Sequence, residues 1–241
     1  MDPCPLTFPC LCYSRSVSSK ATDLRRTAGC VRNRDCGRVA DGGRSDRDLN
    51  SLSGAKRAFP PDFFRQDIEA VARGLIGATL LVNGVGVRIV ETEAYDSGDP
   101  ASHSFRGQTA GNGAMFGPIA HAYVYRIYGL HWCLNIVAGP PGSAVLIRAL
   151  EPLQGIDQMI VRRGITNPLK LCSGPGRLCQ ALSVDGSLNG ASLHAPPFAL
   201  HPPAGPAPIV TGQRIGISRG VETPWRFGAS GSPYVSRPFP A

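Results

Sequence analysis

The hydrophobic pattern of the chain starts near Phe59 and is absent before it. Residues 1–57 are rich in Ser, Arg, Gly and Asp without a sustained period, a composition typical of disordered chain. From there on, apolar residues recur at the i, i+3, i+4, i+7 spacing that predicts an amphipathic helix from Asp67 to Leu75. We therefore expect residues 1–57 to be a disordered basic tail. The alternative is that these residues are an artefact of a start codon placed too early. One folded domain is expected over residues 58–241.

The pattern then changes to alternation, which indicates strands. Thr79–Val82 and Val85–Ala94 predict a β-hairpin that turns at Asn83-Gly84, a dipeptide suited to tight left-handed turns. An antiparallel meander of three strands is predicted further on, at Ala122–Ile127, Trp132–Val137 and Ala144–Leu150. Between the two groups, Asp96–Pro118 is polar and rich in glycine, and a loop of this length in a compact domain is usually functional.

Two more helices complete the predicted elements. Gly155–Arg163 and Ser173–Leu182 are expected to be helical, with Ser173 as the N-cap and Pro175 in the first turn. The last segments are expected to be an irregular Pro-rich stretch and two short strands: residues 195–208, Arg214–Ser218 and Trp225–Phe227. The expected fold class is α+β, a single domain with a curved, mainly antiparallel sheet flanked by helices.

Composition restricts the function only weakly. The hydrophobic fraction of 42% supports a core, and residues 1–58 carry +5 of the net charge of +8, from 11 Lys+Arg against 6 Asp+Glu. The remaining +3 suits a polyanionic partner but is equally common in metabolic enzymes. No apolar run is long enough for a transmembrane helix, and prolines interrupt the apolar start Met1–Tyr13. We expect no membrane partner and an intracellular protein, cytoplasmic in a bacterium or nuclear in a eukaryote.

The cysteines do not predict a metal site. Five of the eight lie in the first 36 residues and lack the paired C-x-x-C spacing of structural zinc sites. The other three, Cys133, Cys172 and Cys179, have apolar neighbours and are expected to be small buried residues.

Strand periodicity places Glu91, Glu93 and Tyr95 on one face of the strand Val85–Ala94 and its continuation. Two carboxylates so close repel each other, and burying either without a partner is costly. Taken alone, the segment is therefore interpreted as an exposed face with solvated glutamates. Its surroundings favour chemistry instead: His103 in the long loop, the strand Tyr123-Val124-Tyr125, and Tyr128 at a hairpin tip.

Six segments together resemble the alkyladenine DNA glycosylase family, the 3-methyladenine or methylpurine glycosylases. They are IVETEAY (89–95), ASHSFRGQT (101–109), GAMFGPIAHAYVYRIYGLHWCLNIV (113–137), AVLIRALEP (144–152), LCSGPGRLCQAL (171–182) and RIGISRG (214–220). The match extends in order over about Phe59–Ser236, and the combination is specific although each piece alone is weak. The resemblance implies a monofunctional DNA glycosylase that flips alkylated or deaminated purines out of duplex DNA and hydrolyses the N-glycosidic bond, leaving an abasic site. The implied partner is double-stranded DNA containing damaged purines. No metal or cofactor is expected, and a monomer is the default expectation because DNA accounts for the one exposed aromatic residue.

The resemblance implies that Glu93 is the general base, which activates the water that attacks C1′ of the deoxyribose. Arg148 is the candidate that orients Glu93 or its water, and its alternative is a structural salt bridge. Glu91 is interpreted as a structural or supporting residue. The only lysine after Lys56 is Lys170, so a Schiff-base route with strand cleavage is not expected.

The resemblance also implies an aromatic pocket of Tyr95, His103 and Tyr125, because electron-rich rings attract a cationic alkylated base. A structural histidine is the alternative for His103, and Tyr123 is expected to pack in the core. Asn135 matches a position that crowds the exocyclic amino group of guanine, with a buried, hydrogen-bonded asparagine as the alternative.

Tyr128 matches the intercalating tyrosine of the family, at the tip of a protruding β-hairpin that inserts into DNA. His131 and Trp132 depart from the Tyr and Phe of vertebrate members, so minor-groove contacts at His131 are expected to differ. Ser173, Gly174 and Arg177 open a helix whose free backbone N–H groups suit a DNA phosphate, although a capped helix without a ligand would keep the same residues. A non-catalytic nucleic-acid-binding domain and a hydrolase of free nucleosides remain as rival functions.

Overall fold

Residues 58–240 of the chain are described by a computed structural model, and the predicted tail over residues 1–57 lies outside them. The described residues contain three α-helices, α1 (Ile68–Gly74), α2 (Ile156–Arg163) and α3 (Pro175–Leu182). They contain eight strands, β1 (Thr79–Val82), β2 (Val85–Tyr95), β3 (Ala122–Ile127), β4 (His131–Val137), β5 (Ala144–Gln154), β6 (Phe198–His201), β7 (Ile209–Gly212) and β8 (Arg226–Ala229).

Strand β2 organises the sheet because it has partners along both edges. One edge pairs with β5 from Gly86 to Tyr95, while the other pairs first with β1 and then, over residues 91–93, with β8. The sheet order is β3-β4-β5-β2-β1-β6 with β7 joined to β8, and every pair is antiparallel. The predicted α+β class with a curled antiparallel sheet is confirmed.

The helices and the sheet share one main core. Helix α1 packs on β2 and β5, α3 packs on β4 and β5, and α2 packs on α3. Val71, Ile89, Ile147 and Leu178 are fully buried in this core. Because each large aliphatic side chain contributes about 1.5–3 kcal/mol on burial, the core fixes β2 against β5. These two strands carry the acidic and basic residues described below.

The predicted hairpins form as expected. The β1–β2 hairpin turns at Asn83-Gly84, whose φ angles of 49° and 80° lie in the left-handed region that these two residues tolerate. Strands β3, β4 and β5 form the predicted meander, and β5 continues to Gln154, beyond the predicted end at Leu150. The helix predicted from Asp67 to Leu75 is also confirmed, as α1.

Several predicted details are wrong. Gly174, not Ser173, is the N-cap of α3, and the backbone of Ser173 forms a bridge with Ala149 of β5 instead. No strand forms over Arg214–Ser218, because the backbone N–H of Ile215 donates to a side chain and not to a neighbouring strand.

The sequence prediction missed β6 and β7. Strand β6 lies inside the stretch 195–208, where an irregular Pro-rich segment was expected. Its prolines lie on either side, at 196–197 and 202–203, so no ladder hydrogen bond is lost within the strand.

Over residues 58–240, none of the helices combines the length and the apolar character that crossing a membrane requires.

Candidate active site

An aromatic cavity of about 180 Å³ lies beside the ends of β2, β3, β4 and β5. The predicted residues Tyr95, His103, Tyr125, Asn135 and Arg148 all line it. The cavity is smaller than the 300–1,000 Å³ or so of drug-sized ligand sites. Its size and its rings suit a single flat heterocycle.

Three rings of the cavity wall form one cluster. The His103 and Tyr125 rings meet edge to face with centroids 4.4 Å apart, and the Tyr123 and Tyr125 rings stack at 5.3 Å. His103 Nδ1 lies 2.9 Å from the Tyr123 hydroxyl. Tyr123 is buried, as expected, but it also lines the cavity. Desolvation lowers the pKa of His103 and raises the pKa of Tyr123 to about 12, so the cluster is uncharged at neutral pH.

Asn135 has the contacts expected of a buried, hydrogen-bonded asparagine, whereas its predicted role against guanine stays a prediction. It is buried and its Nδ2 donates to the carbonyl of Tyr123 at 3.0 Å, as a structural asparagine would. It also lines the cavity.

Glu93 lies directly behind the cavity wall. Its side chain is fully buried and is not part of the lining. Three donors hold its carboxylate: Ile215 N–H to Oε1 at 2.8 Å, the Tyr95 hydroxyl to Oε2 at 2.8 Å, and Arg148 Nη1 to Oε2 at 3.2 Å. Each of these three residues lines the cavity. At this point the cavity wall therefore consists of residues that are hydrogen-bonded to the carboxylate of Glu93.

Burial raises the pKa of the Glu93 carboxyl above its ordinary value. The charge of Arg148 opposes this rise most strongly, followed by the hydrogen bonds from Ile215 and Tyr95, while the nearby Glu91 adds to it. Burial and the adjacent Glu93 charge raise the pKa of Tyr95, so its hydroxyl remains a donor.

Glu91 is held in an ionic cluster that shares Arg148 with Glu93. Arg226 Nε donates to its Oε1 at 2.7 Å, and the Ser236 hydroxyl donates to the same oxygen at 2.9 Å. Arg148 Nε lies 3.4 Å from Glu91 Oε1 in an ion pair without hydrogen-bond geometry. Arg148 thus contacts both glutamates. The interpretation of a solvated, exposed pair is wrong because both faces of β2 are covered and arginines from β5 and β8 neutralise the charges.

A second, more open groove of about 450 Å³ adjoins the cavity and shares Arg148, Pro175 and Ile215 with it. The predicted residues His131, Ser173, Gly174 and Arg177 line this groove. Arg163 and Arg237 add positive charge, and none of the described residues that line it is acidic. Such a surface attracts a polyanion.

Tyr128 lies apart from both the cavity and the groove. It is 83% exposed at the tip of the β3–β4 hairpin, which the pair Ile127 and His131 closes. Its φ of 52° is unusual for a bulky residue, and Leu130 in the same turn is 70% exposed. Next to this turn, His131 packs so closely on Gly176 that a Cβ added to Gly176 would lie 2.9 Å from the Cβ of His131.

Sequence reasoning gave no role to Arg214 and Ile215. The buried Arg214 guanidinium binds Asp99, and the Ile215 N–H binds Glu93. Their only signal in the sequence was their place in the matching segment RIGISRG. Among residues 58–240, His, Cys, Asp and Glu form no group of three that could hold a metal ion.

Comparison with known proteins identifies the family of the chain. The family model of the Methylpurine-DNA glycosylase (MPG) matches residues 62–233. A protein of Nitrosospira multiformis is 61% identical over 180 residues, which cover 74% of this chain and 93% of the relative. A protein of Agrobacterium fabrum is 59% identical over 180 residues, covering 75% and 93%. Both relatives are provisionally named as 3-methyladenine DNA glycosylases. The chain belongs to the methylpurine-DNA glycosylase family, enzymes that act on DNA and hydrolyse N-glycosyl bonds.

Proposed function

We propose that this glycosylase flips a damaged purine out of duplex DNA into the aromatic cavity and releases it by attack of a water that Glu93 activates. One observation carries the proposal: three residues of the cavity wall donate to the same buried carboxylate. A carboxylate held in this way has a fixed position directly behind the surface that a bound base would contact.

The reaction follows from the chemistry of the glycosidic bond. The water oxygen bonds to C1′ of the deoxyribose while the bond from C1′ to the base nitrogen breaks, and its electron pair leaves with the base. Glu93 accepts the proton of the water and later releases it to solvent. Because the transition state is cationic at the sugar, a nearby carboxylate also stabilises it.

The bonding of Glu93 leaves a place for this water. Oε2 accepts two hydrogen bonds, from Tyr95 and Arg148, whereas Oε1 accepts one, from Ile215. A carboxylate oxygen can accept two, so Oε1 retains one acceptor position. Since Glu93 has no exposed surface, the water reaches it when a bound nucleotide displaces part of the wall.

Selection rests on the charge and shape of the base. Alkylation at the ring nitrogens makes a purine cationic, so it is attracted by the faces of Tyr95, His103 and Tyr125 and leaves readily as a neutral molecule. Asn135 crowds the exocyclic amino group of guanine. Hypoxanthine, a deaminated purine without that amino group, is also accepted.

The DNA is held outside the cavity. Tyr128 fills the space that the extruded base leaves in the stack, which offsets an unstacking cost of a few kcal/mol or so. Phosphates lie in the groove against the start of α3 and the arginines around it. The enzyme works as a monomer.

Base release should be measured by single turnover on duplexes containing 3-methyladenine, 7-methylguanine, ethenoadenine or hypoxanthine. Wild-type protein should release at least the cationic bases, and Glu93→Gln should not. Glu151→Gln is the matched control, since Glu151 is paired with Arg88 on the same two strands away from the cavity. Wild-type release by Glu93→Gln would contradict the mechanism.

The same assay separates the rival functions. A hydrolase of free nucleosides would cleave a methylated nucleoside, and Tyr128→Ala would leave its rate of cleavage unchanged. We expect Tyr128→Ala to weaken base release from duplex DNA strongly. A non-catalytic binding domain would retain the damaged DNA without releasing any base.

A further inference from the structure

An ion pair outside the cavity connects two of its walls. The Arg214 side chain has no exposed surface and binds both carboxylate oxygens of Asp99, which is itself 6% exposed. The guanidinium also donates to the carbonyls of Ala94 at 3.0 Å and Gly220 at 2.9 Å. It therefore joins the end of β2, the long loop that follows β2, and the irregular segment before β8.

Each joined segment contributes to the cavity or to Glu93. The residue after Arg214 is Ile215, whose N–H donates to Glu93 Oε1. Asp99 accepts from the N–H of Ala101, which lines the cavity together with His103. Neither Asp99 nor Arg214 is part of the lining.

The guanidinium also supports an aromatic wall residue. Arg214 Cζ lies 4.8 Å from the centre of the Tyr95 ring and 5.6 Å from that of Trp225. Tyr95 is the residue whose hydroxyl binds Glu93. Two of the three donors to Glu93 therefore depend on the position of Arg214.

The pair packs closely against Gly220. A Cβ at Gly220 would lie 2.8 Å from Asp99 Oδ1 and 3.0 Å from Arg214 Nη2. The φ of 59° at Gly220 also disfavours any residue with a side chain. The glycine allows its carbonyl to reach the guanidinium.

We infer that the Arg214–Asp99 pair is a positioning element of the catalytic site: it holds the Ile215 N–H and the Tyr95 ring against Glu93 and fixes the His103 loop opposite them. The inference rests on the proposed function, since it takes Glu93 as the base. The pair touches neither the substrate nor the water. It differs from an ordinary structural ion pair because its loss changes the chemical step more than the binding of DNA.

Asp99→Asn tests this most directly, because it keeps the shape and removes the charge. The single-turnover rate of base release should fall about 100-fold, the effect expected when catalytic groups are misplaced by about 1 Å. The affinity for DNA containing an abasic-site analogue should not change. The acid limb of the pH–rate profile should move to higher pH, because the Ile215 hydrogen bond lowers the pKa of Glu93 and would be lost.

The pH–rate profile also depends on the charged and titratable groups around Glu93. They are Glu91 and Tyr95 on β2, Tyr125 on β3, Cys133 on β4, Arg148 on β5, and Arg214. Asp99→Asn replaces none of these groups, and the negative charge that it removes would by itself lower the pKa of Glu93. An acid limb displaced to higher pH therefore reports the changed geometry around Glu93.

Two further variants apply if Asp99→Asn folds poorly. Arg214→Lys keeps the charge and one bond to Asp99, so the rate should fall less than in Asp99→Asn. Gly220→Ala keeps both charges but displaces the pair, so the rate of base release should fall in this variant as well. The folded fraction of each variant is measured by thermal melting, and rates are compared per folded molecule.

The outcome distinguishes the inference from the proposed function. If Asp99→Asn and Gly220→Ala retain the wild-type rate and pH profile while Glu93→Gln is inactive, the inference is wrong and the mechanism stands. If Glu93→Gln remains active, the proposed mechanism fails first. Loss of thermal stability with an unchanged rate per folded molecule would assign the pair a structural role only.

Discussion

Glu91 and Glu93 lie two positions apart on β2, and both side chains are fully buried, yet their surroundings differ. Glu91 is bound by Arg226, Ser236 and Arg148, of which only Arg148 lines the cavity. Every donor to Glu93 belongs to a residue of the cavity wall. Burial alone therefore does not separate the two glutamates, whereas the identity of their donors does. In the proposed mechanism, the carboxylate held by the cavity wall is the catalytic one.

The largest expected effect concerns Glu93. We expect Glu93→Gln to lower the single-turnover rate of base release by about 1,000-fold, within the range of roughly 10²–10⁴ that a general base contributes. A loss of less than 10-fold would remove the contrast between the two glutamates. Binding of DNA with an abasic-site analogue provides the control, and it should be retained.

The next effect concerns stability and falls on Glu91. Glu91→Gln should lower the free energy of unfolding by about 3–5 kcal/mol, because removal of one partner leaves Arg226 buried without its counter-charge. Urea unfolding measures this change. The rate per folded molecule should fall much less than in Glu93→Gln, and equal losses for the two variants would contradict the comparison.

The pH dependence sharpens the comparison further. Since burial raises the pKa of Glu93, the base should become protonated, and the rate should fall, at a pH above the ordinary value of 4.5. The folded state then holds this proton more tightly than the unfolded chain. The stabilisation that this proton gives the folded state is complete below the ordinary pKa of the carboxyl. It is lost as the pH rises through the raised pKa of Glu93. An acid limb at or below 4.5 in the single-turnover profile would contradict this assignment.

Arg148→Lys should have a smaller effect. Arg148 contacts Glu93 through Nη1 and Glu91 through Nε, and a single ammonium cannot reproduce both contacts. We expect roughly a 10-fold slower rate, equal to about 1.4 kcal/mol and close to one charge-assisted hydrogen bond. Arg88→Lys, at an exposed pair on β2, serves as the control and should leave the rate unchanged.

Ser236→Ala should have the smallest effect. It removes the hydroxyl that donates to Glu91 Oε1 and leaves the backbone N–H of Ser236 in place. The expected loss is about 1 kcal/mol in the free energy of unfolding, with no change in the rate. A slower rate would mean that the Glu91 cluster acts on the chemistry after all.

Local patterns predicted the hairpins well, because their signals are contained in adjacent residues. Asn83-Gly84 selects its turn by backbone preference alone. The state of Glu91 and Glu93 was not predictable in this way, since it depends on Arg148 and Arg226, which lie far along the chain. The resemblance to the family identified the wall residues, and only the structure revealed Ile215 and Arg214. Ser173 has the composition of an N-cap, but it bridges to β5 and Gly174 takes that place.

The three donors to Glu93 come from very different distances along the chain: Tyr95 is 2 residues away, Arg148 is 55 and Ile215 is 122. Contacts of such separation form late in folding, because the entropy of closing long loops opposes them. We therefore expect a refolding chain to acquire its helices and the β1–β2 hairpin before these contacts form. If Glu93 is the base, recovery of base release should follow the slowest phase of refolding, and partly folded molecules should generate no abasic sites.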